Sequence, residues 1–186
     1  MTATGFLPDL SGKSVLHFAP ERRLQDKIRA AAPEEYVKCD LYPQAKDVSR
    51  VDIHAIPFRG SRFDLVIANH VLEHVSDDRQ ALSEISRVLK PGGFAILQTP
   101  FSAKLHQTWE DIGIDTEEAR FEAYGQEDHL RLYGQDIIER FISSGLVSCV
   151  GQHIELLPEV DATQHGVNER EPFFLFQKPR TSGEEP

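Results

Sequence analysis

Cysteine is scarce in this chain, which has only Cys39 and Cys149 among its 186 residues. Two cysteines at this separation do not suggest a disulfide framework, which small secreted domains build from four or more. Both lie in segments predicted to be strands, where an unpaired cysteine packs as a small hydrophobic residue. The sequence therefore predicts two free, buried thiols.

Long apolar runs and excess positive charge are also missing. No apolar stretch approaches the roughly 20 residues that span a membrane, and the N-terminus lacks the pattern of a signal peptide. The 20 basic residues are outnumbered by 30 acidic ones, which gives a formal net charge of -10. This charge disfavours binding to nucleic-acid phosphates. We expect a cytoplasmic protein that binds neither nucleic acid nor membrane.

The remaining composition is that of an ordinary globular protein, with 40% hydrophobic and 27% charged residues. The length suffices for one domain with a sizeable core. We expect a single domain over residues 1–180 and a disordered tail at 181–186. No internal repeat is visible.

Residues 63–100 organise the chain, and they read FDLVIANHVLEHVSDDRQALSEISRVLKPGGFAILQTP. The apolar runs 63–68 and 94–97 are typical of strands buried on both faces. Between them, apolar residues at helical spacing follow a capping segment, and the Pro-Gly-Gly at 91–93 is expected to stop the helix. This predicts a right-handed parallel unit, in which ligands bind beyond the carboxyl ends of the strands.

The other elements follow from the same patterns. A helix is expected to begin at Pro20, where a missing N–H costs nothing, with Glu21 in its first turn. A second helix is expected over residues 132–144, and residues 158–171 are expected to form a hairpin loop. The predicted strands are 14–19, 35–39, 51–58, 147–156 and 173–176.

The segments FDLVIANHVLEHV and LSEISRVLKPGGFAILQTP resemble the class I S-adenosylmethionine-dependent methyltransferases of type 11. The resemblance implies an α/β, doubly wound, Rossmann-like sheet of seven strands in the order 3-2-1-4-5-7-6, with strand 7 antiparallel. It also implies S-adenosylmethionine as cofactor and S-adenosylhomocysteine as product. Without the resemblance, the same segment fits any buried parallel unit.

The first strand departs from that family. The family's loop is glycine-rich, of the form acidic-x-G-x-G, whereas this chain has His17-Phe18-Ala19-Pro20-Glu21. The glycines let the backbone approach the ligand closely. By position, His17, Ala19 and Glu21 are expected at the cofactor, where Glu21 would pair with its ammonium group. The alternative is that Glu21 only complements the helix dipole.

Acidic residues lie at the next two predicted strands, Asp40 after the second and Asp52 near the start of the third. Asp40 follows Ala19 at close to the spacing of about 20 residues at which a carboxylate binds ribose hydroxyls. The alternative for Asp40 is a solvated turn residue. The resemblance implies cofactor contacts for its neighbour Leu41, and places Asp52 and Ile53 at the adenine. The alternative for Asp52 is a cap for the following turn.

The resemblance places the loop 69–74 against the methionine part of the cofactor and beside the transferred methyl group. Asn69, His70 and His74 are therefore expected to contact the cofactor, and His70 is also a candidate catalytic residue. The two histidines lie four residues apart with Glu73 between them, which could suggest a metal site. The spacing is not that of metalloproteases, and no cysteine lies nearby. We expect a polar pocket wall and no metal.

Residues 102–130 carry aromatic side chains without a long apolar period, and we expect them to form an ordered lid. His106 and Trp109 are candidates for lining an acceptor pocket, although Trp109 could instead belong to a small satellite core. The family's usual helices ahead of the first strand are almost entirely missing. Either this lid or the second subunit of a homodimer would then close the cleft.

The segment after the lid carries two further candidates. His129 could act as a general base, and Arg131 could hold a carboxylate or phosphate of the acceptor. The alternative is a structural loop, with His129 bonded to Glu127 or Asp128 and Arg131 ion-paired on the surface.

Together these features predict methyl transfer from S-adenosylmethionine to a small-molecule acceptor, with oxygen preferred over nitrogen as the acceptor atom because of the histidines. The alternative is a binding or scaffolding protein that retains the fold without turnover, because the first loop lacks its glycines. A third option is unrelated chemistry on the same fold.

Overall fold

Seven strands form the main sheet of the computed structural model, which describes residues 9–156 and 171–180. They are β1 (Ser14–Phe18), β2 (Glu35–Asp40), β3 (Ser49–Arg50), β4 (Phe63–Ala68), β5 (Leu89–Ile96), β6 (Val147–Ser148) and β9 (Leu175–Gln177). Strands β7 (Gly151–Gln152) and β8 (Pro172–Phe173) form a separate pair. The helices of the described residues are α1 (Arg22–Ala30), α2 (Asp78–Val88), α3 (Glu117–Tyr124), α4 (Ile137–Ile142) and α5 (His153–Leu156).

The main sheet has the order β3-β2-β1-β4-β5-β9-β6. Strands β1 to β5 are parallel wherever they pair, and β9 is antiparallel to both of its neighbours. If β9 is taken as the seventh strand of the family and β6 as the sixth, this is the predicted order 3-2-1-4-5-7-6. The predicted fold class is confirmed.

The two faces of the sheet carry different helices because successive side chains of a strand point to opposite faces. Val15, Leu65 and Ile67 belong to one buried cluster, together with Ile28 of α1. Leu16 and Val66 belong to the other cluster, together with the buried sides of α2 and α4. Both faces of the central strands are therefore covered, as a parallel sheet requires.

Helix α2 has a side-chain cap, since the carboxylate of Asp77 accepts a hydrogen bond from Gln80 N (3.0 Å). The helix ends at Val88, before the Pro-Gly-Gly segment that was expected to stop it. Leu89 already has extended backbone angles and pairs with Phe63. Residues 91–93 instead lie inside β5, where the pairing with β4 shifts register.

Several predicted boundaries are wrong. Helix α1 begins after Pro20, with Glu21 as its N-cap residue in extended backbone rather than in the first turn. The predicted strand 51–58 is replaced by the two-residue β3, because the chain turns where Ala55 N donates to the Asp52 carbonyl (3.1 Å). The side chains of Val51 and Ile53 are buried, but these residues belong to a loop and not to the predicted strand.

The C-terminal elements are also shorter than predicted. The expected helix 132–144 contains only α4, because Leu132 pairs in extended form with the backbone of Trp109. The expected strand 147–156 divides into β6, β7 and α5. The predicted hairpin loop 158–171 lies almost entirely, and the predicted tail 181–186 entirely, outside the described residues.

A buried ionic network fastens α4 and residues 102–133 to the start of α2. The carboxylate of Asp78 accepts two hydrogen bonds from Arg140 (2.6 and 2.7 Å) and one from the Tyr133 hydroxyl (2.8 Å). Arg140 also donates to Glu110 (2.9 and 3.1 Å). Burial opposes ionisation of Asp78, but these hydrogen bonds outweigh it and leave the pKa of Asp78 below its usual value.

Replacing Asp78 by asparagine should lower the free energy of unfolding at pH 7 by about 3 kcal/mol, because Arg140 loses its buried carboxylate partner and keeps only the more exposed Glu110. Since the pKa of Asp78 is lower in the folded state, its stabilisation is present above the unfolded pKa of about 3.9 and is lost as the pH falls through the folded pKa. Urea unfolding at pH 7 and in acid should therefore show the parent and Asp78→Asn converging in acid. Asp115→Asn, at an exposed position, is the control and should match the parent. A variant as stable as the parent at pH 7 would contradict this role.

Candidate functional site

A cavity of about 600 Å³ opens where the carboxyl ends of the first four strands meet. Ala19 follows β1, Asp40 ends β2, Asp52 follows β3 and His70 follows β4, and all four residues line the cavity. This is the edge of an open parallel sheet at which ligands bind. Further lining residues are Leu41, Tyr42, Ile53, His54, Val71 and His74.

Ala19 takes the turn that glycine usually makes. Its φ is +44°, in the left-handed region that favours glycine. Its N–H donates to the Cys39 carbonyl at 2.9 Å, which fixes the turn against β2. The backbone geometry expected of a glycine-rich loop is thus reached at this position without the glycine.

The Glu21 carboxylate joins the ends of β1 and β4. It accepts hydrogen bonds from His17 Nε2 (2.7 Å) and from Asn69 Nδ2 (2.9 Å). Burial opposes its ionisation, but the bonds from His17 and Asn69 outweigh it and leave the pKa of Glu21 below its usual value. Its side chain makes no hydrogen bond that caps α1. Glu21 is therefore an anion held at the strand ends.

His17 supports Glu21 and does not line the cavity. Its ring is fully buried, and its Nδ1 lies 2.8 Å from the Tyr36 hydroxyl. Because Nε2 donates to Glu21, Nδ1 accepts from Tyr36 when the ring is neutral. Asn69 likewise points its amide at Glu21 and is not among the residues that line the cavity. The structure gives both residues a positioning contact with Glu21.

Two further carboxylates lie along the cavity. Asp40 Oδ1 accepts from Tyr42 N (2.8 Å), and Asp52 Oδ1 accepts from the backbone (2.9 Å) and ring (2.7 Å) nitrogens of His54. The two bonds from His54 lower the pKa of Asp52, and the bond from the His54 backbone contributes more than the bond from its ring. The sequence interpretation missed Tyr42 and His54 as cavity residues, although each follows its acid by two positions. The expected pairing of these acids with ribose and adenine stays a prediction.

His70 occupies a strained position between two cavities. Its φ is +53°, uncommon for a residue with a side chain, and its N–H donates to the Gln98 carbonyl at 2.7 Å. Its Nδ1 lies 3.4 Å from Glu73 Oε1, and this carboxylate raises the pKa of His70. A second cavity of about 290 Å³ is lined by His70 and by residues beyond β5, including Gln98, Thr99, Phe101 and Phe174.

The predicted acceptor residues of the lid do not line either of these cavities. His106 and Trp109 are both exposed, and Trp109 packs edge-on against Tyr124. His129 is buried beside His74, and burial followed by the His74 charge lowers the pKa of His129. The alternative bond of His129 to Glu127 or Asp128 is replaced by this ring contact. Whether residues 102–130 act as a lid stays a prediction.

Arg131 has the structural, ion-paired role of the alternative interpretation, but it is buried and does not lie on the surface. Its Nη1 donates to the carbonyls of Leu72 (2.7 Å) and Val75 (2.6 Å). Its Nε donates to Glu110 (2.9 Å). These bonds engage its donors within the protein and hold the loop that follows β4. We therefore leave Arg131 out of the acceptor site.

The comparisons with known proteins agree with this geometry. Residues 10–97 match the family model described as a methyltransferase domain. The chain therefore matches a methyltransferase domain over 88 of its 186 residues, just under half of its length. The resemblance inferred from the two sequence segments is confirmed, and this domain and fold imply S-adenosylmethionine-dependent chemistry.

Among curated proteins, the chain is 36% identical over 73 residues to a malonyl-[acyl-carrier protein] O-methyltransferase of Pseudescherichia vulneris. The match covers 38% of this chain and 29% of the relative. The chain spans roughly a quarter to a third of the length of the curated relatives it matches.

Among solved structures, an S-adenosylmethionine-dependent methyltransferase from Mesorhizobium loti has a TM-score of 0.60, with 17% identity and 93% coverage of each chain. The [4+2]-cyclase SpnF also has a TM-score of 0.60, with 17% identity over 92% of this chain and 77% of that one. At such identities the likeness concerns the fold alone. No helix among the described residues is both long and apolar enough to cross a membrane.

Replacing Arg131 by methionine should destabilise the protein by about 1–3 kcal/mol, because the Val75 carbonyl loses its donor and the Leu72 carbonyl keeps only the longer bond from the Tyr133 hydroxyl (3.2 Å). Thermal and urea unfolding of Arg131→Met and of the control Arg79→Met, at an exposed position of α2, provide the measurement. A variant with parent stability but weaker acceptor binding would restore the original prediction for Arg131.

Proposed function

We propose that this protein transfers the methyl group of S-adenosylmethionine to an oxygen atom of a small-molecule acceptor. The observation that carries the proposal is the position of His70, which lines both the larger cavity at the ends of β1 to β4 and the smaller one beyond β5. A donor in the first cavity and an acceptor in the second would meet at this residue.

The residues of the larger cavity suit the cofactor. S-adenosylmethionine supplies a methyl group on a sulfonium and also carries an ammonium, so it is cationic at its reactive end. Asp40 and Asp52 line the cavity, whereas Glu21, which has a lowered pKa, is not a lining residue and lies two positions after the lining residue Ala19. A carboxylate attracts a cation strongly where water is thinned. A volume of about 600 Å³ lies within the usual range of ligand pockets.

His70 is the proposed general base. It stands where the acceptor cavity meets the cofactor cavity, and its backbone bond to Gln98 fixes it there. In the proposed reaction the acceptor oxygen forms a bond to the methyl carbon as the bond from that carbon to sulfur breaks. The hydroxyl proton passes to the His70 ring. Positioning supplies much of the rate, and a base adds to it.

The second cavity favours a small acceptor. At about 290 Å³ it lies at the lower limit of ligand pockets. It combines the polar Gln98 and Thr99 with the aromatic rings of Phe101 and Phe174. The relatives named malonyl-[acyl-carrier protein] O-methyltransferases support oxygen as the acceptor atom. The net charge of -10 supports a small molecule over a nucleic acid as the acceptor. We also propose that the protein acts in the cytoplasm.

The alternative function is a methyltransferase fold that binds or scaffolds without turnover. The glycine-poor first loop is the observation that favours it. Two features of that loop favour the enzyme instead. Ala19 reaches the glycine-like turn, and Glu21 supplies a carboxylate at the strand end. Cofactor binding and turnover distinguish the two functions.

Glu21→Gln should weaken binding of S-adenosylhomocysteine about tenfold to a hundredfold, the scale of a lost charged hydrogen bond. Glutamine keeps the size of the side chain and an oxygen that accepts from Asn69. Its amide can donate to His17 Nε2 once the neutral ring takes the tautomer protonated on Nδ1, so thermal stability should change little. Isothermal titration of the parent and variant is the measurement, and Glu122→Gln, exposed on α3, is the control. Equal affinity in parent and Glu21→Gln would remove Glu21 from the cofactor site.

Turnover should depend on His70. With S-adenosylmethionine and a panel of small hydroxyl and carboxyl compounds, the parent should release S-adenosylhomocysteine, measured by mass spectrometry. His70→Asn should lower the rate by about a hundredfold or more, as expected for loss of a general base. His153→Asn, at a histidine outside both cavities, should not. A parent that binds the cofactor product but methylates nothing would favour the scaffold.

A further inference from the structure

Glu73, His74 and His129 bring three metal-ligand side chains together. Each offers one ligand atom, and these atoms lie within 4.8 Å of one another. In a tetrahedral zinc site, bonds of 2.0–2.1 Å place donor atoms about 3.4 Å apart. Small side-chain rotations would therefore bring the three donors onto one ion. The histidines belong to different segments, so the sequence spacing does not show the cluster.

Two atoms of this cluster are buried without a hydrogen-bond partner. Glu73 and His129 are only 1% and 3% exposed. Within residues 9–156 and 171–180, neither Glu73 Oε1 nor His129 Nδ1 makes a hydrogen bond, although His70 Nδ1 lies at ion-pair distance from Glu73 Oε1 (3.4 Å). Buried polar atoms are nearly always satisfied, and an orphaned pair at one place suggests an unobserved ion or water. A cation would satisfy both atoms together.

Contacts to the remaining polar atoms of Glu73 and His74 orient these two side chains, as is usual for metal ligands. The Thr99 hydroxyl donates to Glu73 Oε2 (2.8 Å). His74 Nδ1 lies 3.2 Å from the Asp128 carbonyl and 3.3 Å from its carboxylate. Because a carbonyl only accepts, Nδ1 donates here, and in the neutral ring Nε2 is then the nitrogen with the lone pair. Metal-binding histidines and carboxylates are oriented by such outer contacts.

We propose that Glu73, His74 and His129 bind a divalent transition-metal ion of the zinc class. Two imidazoles and one carboxylate suit such ions, whereas magnesium and calcium prefer oxygen ligands alone. Three protein ligands leave a coordination position open for water or substrate, as in catalytic zinc sites. This inference replaces the expectation, drawn from the sequence, that no metal binds here.

The site borders the cleft. His74 lines the larger cavity, and Thr99, which holds Glu73, lines the smaller one. His70 Nδ1 lies 3.4 Å from Glu73 Oε1, so a pairing of these two side chains without metal is the competing explanation for the cluster. If the proposed function holds, an ion here could bind the acceptor oxygen at its open position. Metal binding itself does not rest on that function.

Metal binding is tested on the full chain after dialysis against a chelator and without cofactor. Isothermal titration should show one Zn²⁺ per chain, bound at least about tenfold more tightly than Mg²⁺. Co²⁺ should give the visible absorption bands of a four- or five-coordinate ion. Glu73→Gln, His74→Gln and His129→Gln should each weaken Zn²⁺ binding about tenfold or more, whereas His153→Gln, outside the cluster, should bind as the parent does.

Thr99→Val provides a variant that keeps all three ligands. Loss of its bond to Glu73 should weaken Zn²⁺ binding by about tenfold to a hundredfold. The proposal is overturned if the parent binds no Zn²⁺, or if ligand variants shown to be folded by circular dichroism bind it as the parent does. Titration with S-adenosylhomocysteine is measured separately, so failure of the metal site and failure of the proposed function are distinguished.

Discussion

Burial of β4 on both faces is the constraint on which the rest of the structure depends. Phe63, Val66 and Ile67 are fully buried, between helix α1 on one side and helices α2 and α4 on the other. Such a strand can expose polar groups only at its ends. Since β1 pairs with β4 in parallel, with Phe18 opposite Ala68, the residues that follow these strands emerge side by side. Glu21 and Asn69 meet for this reason.

The first loop shows how a different sequence can produce a related site. A family pattern would place an acid at the end of β1 and glycines after it. Here the strand carries the buried His17, and the acid comes four residues later as Glu21, which is bonded back to that histidine. The Tyr36 hydroxyl in turn contacts the other ring nitrogen of His17. The carboxylate thus lies four residues further along the chain than in the family pattern, while negative charge stays at the strand end.

Buried polar contacts position the second half of the site. Arg131 holds the carbonyls of the loop after β4, and Asp78 binds Arg140 from helix α4. Both arginines also bind Glu110. Such pairs add little stability compared with apolar packing, but they become costly when one partner is removed. They fix residues 102–133 against the loop that carries His70, Glu73 and His74.

The sequence by itself determined the fold class and the location of the cleft. The β4, α2 and β5 segments have strong local periodicity, and their order along the chain limits the sheet to few topologies. Asp40 and His70 could be placed at the cleft because they follow predicted strands whose ends share one edge, whereas Asp52 was placed there by the family resemblance. The predicted boundaries of β3 and α4 were wrong because the apolar patterns of these segments are weak. A turn and pairing with a distant segment determined their backbone conformation instead.

Only the tertiary structure decided what the polar side chains contact. Arg131 binds carbonyls 56 and 59 residues away, and its burial could not be inferred from its neighbours in sequence. Likewise, His129 joins Glu73 and His74 only because the segment after α3 folds back on the loop after β4, where Leu130 N donates to the Glu73 carbonyl at 2.8 Å. The local sequence determines the hydrophobic periodicity and with it where strands end. Contacts between distant segments, in contrast, form only when the chain has packed.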